Sequence, residues 1–252
     1  MYNLCSLLSF EQNIRGRDFI VGDIHGHVEL LFRLLSAVKF DYSNDRVFAV
    51  GDLIDRGPNS FDALQLTKEP WFFSCLGNHE LFMLESGQPE FHDVQQWRRN
   101  GGDWFFSLCK SQQNELRRMI TENMPVSISL QNRGNMFGII HASIPSGMNW
   151  KDLYGGVLSR DLLYESVWDR RYWLKDGEHR AQGIHTLFCG HTPGESVRQI
   201  GNIINLDTGT ATIKKETGKK IGRLTLCEIS TEFTYSSCDY VSLDAAERPL
   251  IL

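Results

Sequence analysis

The sequence predicts an α/β sandwich whose strands are buried on both faces and flanked by helices. Three observations carry that reading: short apolar runs recur along the chain, a helix-period segment separates the first two, and polar residues come directly after most of them. The runs are Phe19 to Val21, Val47 to Val50, Trp71 to Cys75, Met136 to Ile140, Thr186 to Cys189, Ile203 to Leu206 and Leu224 to Ile229. They are continuous rather than alternating, as expected where both faces of a strand are covered.

The elements come in order. Val28, Leu31, Leu34, Leu35 and Val38 fall on one stripe between the first two runs, which makes a β-α-β unit. From Glu80 to Met124 the chain is polar and helix-prone around Glu90 to Arg99 and Ser111 to Glu122, interrupted at Asn100-Gly101-Gly102, and predicts a helical cap rising from the core. Val126 to Leu130 alternates with serines and then meets Gln131-Asn132-Arg133-Gly134-Asn135, so a hairpin into the Met136 strand is expected. A second insert runs from Ser143 to Gly183, and Lys214 to Lys220 reads as the solvated loop of a late hairpin. No repeat, low-complexity tract or linker divides the chain, so residues 1–252 are expected to form one domain.

With 252 residues, 41% of them hydrophobic and 23% charged, the composition is that of a globular protein and excludes disordered, collagen-like and coiled-coil classes. No apolar run approaches the roughly 18 residues needed to cross a bilayer. The Leu4 to Phe10 stretch lacks a basic leader, and neither secretion nor membrane insertion is expected. Six cysteines are scattered without a Cys-x-x-Cys pair, which fits a reducing cytoplasm. A formal net charge of −5 argues against broad nucleic-acid binding.

The informative regularity lies directly after each apolar run. The first run leads into Gly22-Asp23-Ile24-His25-Gly26, the second into Gly51-Asp52-Leu53-Ile54-Asp55-Arg56-Gly57, and the third into Gly77-Asn78-His79-Glu80. His141 comes after the fourth and Gly190-His191-Thr192 after the fifth. In open α/β sheets ligands bind beyond the carboxyl ends of the strands, so five consecutive strands would deliver these groups to one crevice. A sulfur-free nitrogen and oxygen set, larger than one tetrahedral ion needs, suits two borderline divalent ions such as manganese, iron or zinc. Ions about 3.5–4 Å apart need a bridging carboxylate and activate water for hydrolysis, and Asp52 has the oxygens to span them. Each element also has a plainer reading: Gly-Asp-x-His-Gly as a turn, Asn78 as a helix cap, His141 and His191 as hydrogen-bonded core histidines. Their regular alternation with buried strands favours the shared site.

In this order, with spacings of about thirty and about twenty-five residues, the three motifs resemble the signatures of the PPP metallophosphoesterases, the serine/threonine phosphoprotein phosphatases. His141-Ala142 and Gly190-His191-Thr192 extend the likeness over residues 19 to about 210. The segment from Trp97 to Trp104 is most similar to the bacterial and phage branch, typified by the phage lambda protein phosphatase. The resemblance implies a metallophosphoesterase-type β-sandwich flanked by helices, and a single calcineurin-like domain. It implies Asp23 and His25 on a first metal, Asp52 bridging, and Asn78, His141 and His191 on a second. Manganese is the expected ion, with iron, zinc and nickel as alternatives. His79 would be the general acid, oriented by Asp55, and Arg56 would grip phosphate as a planar fork.

A second arginine clamp is expected from Trp168-Asp169-Arg170-Arg171, with Arg170 preferred and Arg171 as rival. Ser143 stands where better-known members have glycine, which leaves the loop shape open, and Leu76 stands where eukaryotic members usually have arginine. Asn100, with Gly101, Gly102 and the flanking Trp97 and Trp104, either lines a substrate groove or belongs to a loop anchored by buried tryptophans. The expected substrates are phosphoserine and phosphothreonine in proteins, with phosphotyrosine and phosphohistidine as further candidates. Two rivals stand beside this reading: a symmetrical bis(5'-nucleosyl)-tetraphosphate hydrolase, against which Asp55 and Glu80 both count, and a non-catalytic scaffold, which has no use for His79, Asp55 or Arg56.

Overall fold

The computed structural model describes residues 4–88, 91, 93–156, 158–174, 179–212, 222–229, 240–243 and 250–251. Its elements run β1 (Leu7–Phe10), β2 (Asp18–Val21), α1 (Val28–Ala37), β3 (Arg46–Ala49), α2 (Ser60–Gln65), β4 (Phe72–Ser74), α3 (Asn78–Glu85), α4 (Val94–Arg99) and α5 (Lys110–Asn123). The chain continues through β5 (Ser127–Asn132), β6 (Asn135–Ile140), α6 (Arg160–Trp168), α7 (Arg171–Leu174), β7 (Thr186–Cys189), β8 (Arg198–Ile200), β9 (Ile203–Asn205), β10 (Leu224–Ile229), β11 (Tyr240–Leu243) and β12 (Leu250–Ile251). Each of the apolar runs lies on a strand. The Lys214 to Lys220 loop lies outside the described residues.

The strands form two sheets of six, ordered β1-β5-β6-β7-β9-β8 and β12-β11-β10-β2-β3-β4. Two packed sheets make the β-sandwich that the resemblance implies. Parallel neighbours β2, β3 and β4 belong to one sheet, while β6, β7 and β9, also parallel neighbours, belong to the other. The chain crosses to the second sheet between β4 and β5, through α3, α4 and α5, and β5 returns into β6 by an antiparallel hairpin. Its turn, Arg133-Gly134, has φ of 47° and 78°, the two left-handed residues that a type I′ hairpin requires.

Strand side chains alternate between two buried layers, which is why the runs read as continuous. Ile20, Phe48, Val50 and Cys75 cluster with Ile128, Leu130, Phe137, Ile139, Phe188 and Ile204 between the sheets. On the outer face of one sheet, Phe19, Val21, Val47 and Ala49 cluster with Leu31, Leu34, Leu64 and Leu81 of the helices. Ile140, Leu187 and Ile203 do the same with Trp150, Leu153 and Tyr172 on the far side of the other. Each fully buried side chain of this kind contributes about 1.5–3 kcal/mol relative to exposure.

The stretch from Glu80 to Met124 is helical as expected, but it lies against the core rather than rising from it. Trp97, Phe105, Leu116, Met119 and Ile120 belong to the same buried cluster as Phe19 and Val21, because the apolar side of α5 needs a surface to cover it.

Candidate active site

The loop from β2 to α1 carries Asp23 and His25, and the loop from β3 to α2 carries Asp52, Asp55 and Arg56. β4 leads through Cys75, Leu76 and Gly77 into the first turn of α3 with Asn78, His79 and Glu80. His141 comes after β6, His191 after β7, and Asp207 after β9. All are buried except Arg56, and Arg170 is exposed beside them. Seven described residues other than glycine have positive φ, and five belong here: His25 (45°), Asp52 (52°), Asp55 (72°), Arg56 (68°) and His191 (65°). Such backbone persists only where its surroundings over-determine it, and it clusters where function requires it.

Three histidines are pinned in the same manner. Nδ1 of His25 donates to the Ile54 carbonyl at 2.9 Å and Nδ1 of His141 to that of Val50 at 2.9 Å, while Nε2 of His191 lies 3.1 Å from the Trp168 carbonyl oxygen. Each ring therefore turns its other nitrogen into the crevice. Nε2 of His141 lies 3.0 Å from Asn78 Oδ1 and 3.4 Å from Asp52 Oδ1, and Nδ1 of His191 lies 2.8 Å from Asn78 Oδ1. Lone pairs facing an amide oxygen at these distances repel unless a cation or proton sits among them.

Ligand atoms of His25, Asp52 and His79 lie within 4.8 Å of one another, and so do those of Asp52, His141 and His191. Asp52 is common to both groups. Its Oδ1 faces His141, while its Oδ2 lies 3.7 Å from His25 Nε2 and 3.9 Å from His79 Nε2. A shared carboxylate, pinned imidazoles and an amide oxygen are a donor set that fits two borderline divalent ions. Asp23 is in neither group of three, and its carboxylate accepts the His191 backbone N–H at 3.1 and 3.3 Å.

His79 stands differently. Its Nδ1 meets Asp55 Oδ2 at 2.6 Å, and Asp55 also accepts the indole N–H groups of Trp97 and Trp104 at 2.7 and 2.8 Å. Glu80 gathers the loop: its carboxylate accepts the backbone N–H groups of Asp52 (3.0 Å), Leu53 (2.9 Å), Ile54 (3.3 Å) and Gly77 (2.9 Å). Gly77 is required by close approach, since a Cβ there would overlap the Asp52 carboxylate.

The arginines separate by environment. Arg56 Nη1 donates to the free Nε2 of His25 at 2.9 Å, and its Nη2 reaches Asn100 Oδ1 at 3.4 Å. Arg170 Nε lies 3.2 Å from His191 Nε2. Arg171 faces away, bonded to Glu165, Asp169, the Ser143 hydroxyl and the Ile144 carbonyl. Ser143 also donates to Asp169 Oδ2 at 3.0 Å, so the serine found where glycine was expected ties down the turn before Arg170.

The crevice is short of positive charge. Burial and the charge of Asp207 push Asp23 well above the usual carboxylate range. Burial, with Asp52 adding repulsion, lifts Asp207 to about 6 and Glu80 to about 7. Burial opposes ionisation of Asp52 too, but neighbouring His141 and His79 outweigh it and hold its carboxyl well below the ordinary value. Against its own burial, Asp52 raises His141 to about 9. Burial lowers His25, and burial followed by the nearby His141 lowers His191 to about 3.

Sequence reasoning missed Asp207, although it too comes after a buried strand and the strand-end rule would have found it. The anchoring reach of Glu80 and the aim of the two indoles had no signal in the chain.

Residues 19–214 match the calcineurin-like phosphoesterase family. The chain belongs to that family. This calcineurin-like phosphoesterase is 35% identical over 195 residues to serine/threonine-protein phosphatase 2 of Escherichia coli, covering 76% of this chain and 87% of that one. It is 31% identical over 218 residues to the asymmetrical bis(5'-nucleosyl)-tetraphosphatase PrpE of Oceanobacillus iheyensis, covering 75% and 82%. Its fold is that of a protein serine/threonine phosphatase from Saccharomyces cerevisiae, with a TM-score of 0.68 at 15% identity over 98% of this chain and 86% of that one.

Proposed function

We propose that this phosphoesterase is a metal-dependent protein phosphatase that hydrolyses phosphoserine and phosphothreonine monoesters. The observation that carries the reading is the His79–Asp55 pair standing beside the shared carboxylate of Asp52. A serine alkoxide is a poor leaving group, and a proton delivered in the transition state removes much of its cost. His79 would give that proton from Nε2 while Asp55 holds Nδ1.

Asp23 and His25 would hold one divalent ion, Asn78, His141 and His191 a second, with Asp52 shared between them. Such ions supply Lewis acidity toward the phosphate and toward the attacking water. Manganese is the ion proposed, with iron, zinc and nickel as competitors for the same donors. Arg56 and Arg170 would bind the phosphate oxygens, and Asn100 would steady the Arg56 fork. Phosphorylated proteins are the partners this requires. A cytoplasmic location belongs to the same proposal, supported by free thiols at Cys5, Cys75, Cys109 and Cys189. No helix among the described residues is long and apolar enough to cross a membrane.

The similarity to a tetraphosphatase keeps one rival in view, and a direct comparison separates them. Purified protein loaded with manganese is expected to release phosphate from a phosphoserine peptide far faster than it cleaves diadenosine tetraphosphate, and the reverse order would overturn the assignment. His79→Asn should retain its metal while losing orders of magnitude in kcat on the peptide. Asp52→Asn should fall below two equivalents of metal by elemental analysis, and two full equivalents would end the sharing role.

A further inference from the structure

We propose that Trp97 and Trp104 are positioning residues for proton delivery, their two indole N–H groups holding the Asp55 carboxylate in the one orientation that aims His79 at the leaving oxygen. The inference rests on the phosphatase reading of the site.

Asp55 is 0% exposed, and among the described residues its only ionic partner is His79. Three N–H groups surround its carboxylate. Oδ2 accepts from His79 Nδ1 at 2.6 Å and from Trp97 Nε1 at 2.7 Å, and Oδ1 accepts from Trp104 Nε1 at 2.8 Å. An indole only donates, so it offers the carboxylate no alternative state and takes no proton from the pair. Without the indoles, a buried carboxylate would keep a single bond to a ring that must itself stay aimed. The Asp55 backbone, at positive φ, is held by its N–H bond to Ser60 Oγ at 2.8 Å, and the indoles fix the carboxylate beyond it.

Both tryptophans arrive on one short segment. Trp97 is in α4 and fully buried near Phe82 and Phe105, and Trp104 is in the turn after it. Between them Gly101 has φ of 102°, and a side chain there would collide with the backbone nitrogen of Arg56. With the Asn100 contact to Arg56, the segment touches both consecutive residues, the one that steers the acid and the one that grips phosphate. It supports the chemistry from behind instead of lining a groove.

The test exploits leaving-group chemistry. An alkoxide needs the proton from His79, whereas the phenolate leaving p-nitrophenyl phosphate does not. Trp104→Phe, at a half-buried position, is expected to lower kcat on a phosphoserine peptide roughly tenfold, what one hydrogen bond to a charged group supplies, with KM within about twofold. On p-nitrophenyl phosphate the same variant should stay within about twofold of the parent, and in an Asp55→Asn background it should cost less than about twofold on either substrate. Equal losses on both substrates, the same loss in the Asp55→Asn background, or no loss at all would overturn the proposal and leave packing alone. Trp97→Phe, checked for folding by urea denaturation and for metal content, repeats the test from the other oxygen if Trp104→Phe does not fold. His79→Asn run beside them separates the two ideas: if it lacks leaving-group dependence, the acid role itself fails, whereas if it shows that dependence and the tryptophan variants do not, only the present inference fails.

Discussion

Arg170 and Arg171 are adjacent in the chain and opposite in surroundings. Arg170 is exposed with its Nε near His191, whereas the Arg171 guanidinium is taken up by Glu165, Asp169 and Ser143. A clamp must reach the crevice, and of these two arginines only Arg170 stands beside one of its histidines. Arg170→Ala should therefore lower kcat/KM on a phosphoserine peptide roughly a hundredfold while leaving the urea midpoint in place. Arg171→Ala should do the converse: it exposes the turn that Ser143 ties and lowers the midpoint, with kcat/KM changed far less. If the two variants exchange these phenotypes, the assignment of the clamp is wrong.

Only Cys75, Leu76 and Gly77 separate β4 from helix α3, so its first turn places Asn78, His79 and Glu80 close to the strand's end. Asn78 faces two histidines, His79 meets Asp55, and Glu80 accepts four backbone N–H groups from the neighbouring loop and its own N-terminus. The glutamate is the fastening between the helix and the strained segment that presents Asp52. Replacing it with alanine leaves buried N–H groups without acceptors, and Glu80→Ala should lose roughly 3 kcal/mol or more in urea denaturation. Glu80→Asp, too short to span the same donors, should recover only part of that loss and should bind manganese more weakly than the parent. Full recovery by aspartate would show that reach does not matter here.

Across the molecule, the two sheets bring five buried carboxylates together: Asp23, Asp52, Asp55, Glu80 and Asp207. Without a cation the folded state keeps protons there, with Asp207 raised to about 6, Glu80 to about 7 and His141 to about 9. An unfolded chain has released its carboxylate protons above about pH 4.3 and its histidine protons above about pH 6.5. Groups raised on folding contribute stability at low pH and lose it as pH climbs through their folded values. His25 and His191 are lowered and act in the opposite sense, but only below about pH 6.5, where an unfolded histidine would be charged. Chelator-treated protein should therefore lose Tm steadily from about pH 6.5 to 9, and manganese should flatten that slope by supplying the missing charge. Parallel slopes with and without the ion would argue that these carboxylates do not face it.

Apolar runs located the strands because every strand they mark is covered on both faces. The polar groups after them named Asp23, His25, Asp52, Asn78, His79, His141 and His191, since chemistry at the end of a strand is local in the chain. Which strands share a sheet was not legible, because the crossing from β4 to β5 runs through three helices and pairing is decided by contacts distant in sequence. The preference for Arg170 over Arg171 came from motif position, whereas the hold of Ser143 and Glu165 on the Arg171 guanidinium was not legible. The aim of the two indoles at Asp55 is of the same kind: hydrogen-bond direction depends on where a helix packs, and packing is a property of the folded whole. Sequence alone determined which groups are present and which end of each strand they occupy; tertiary structure decided which of them face one another, because distances between residues remote in the chain are set only when the core closes.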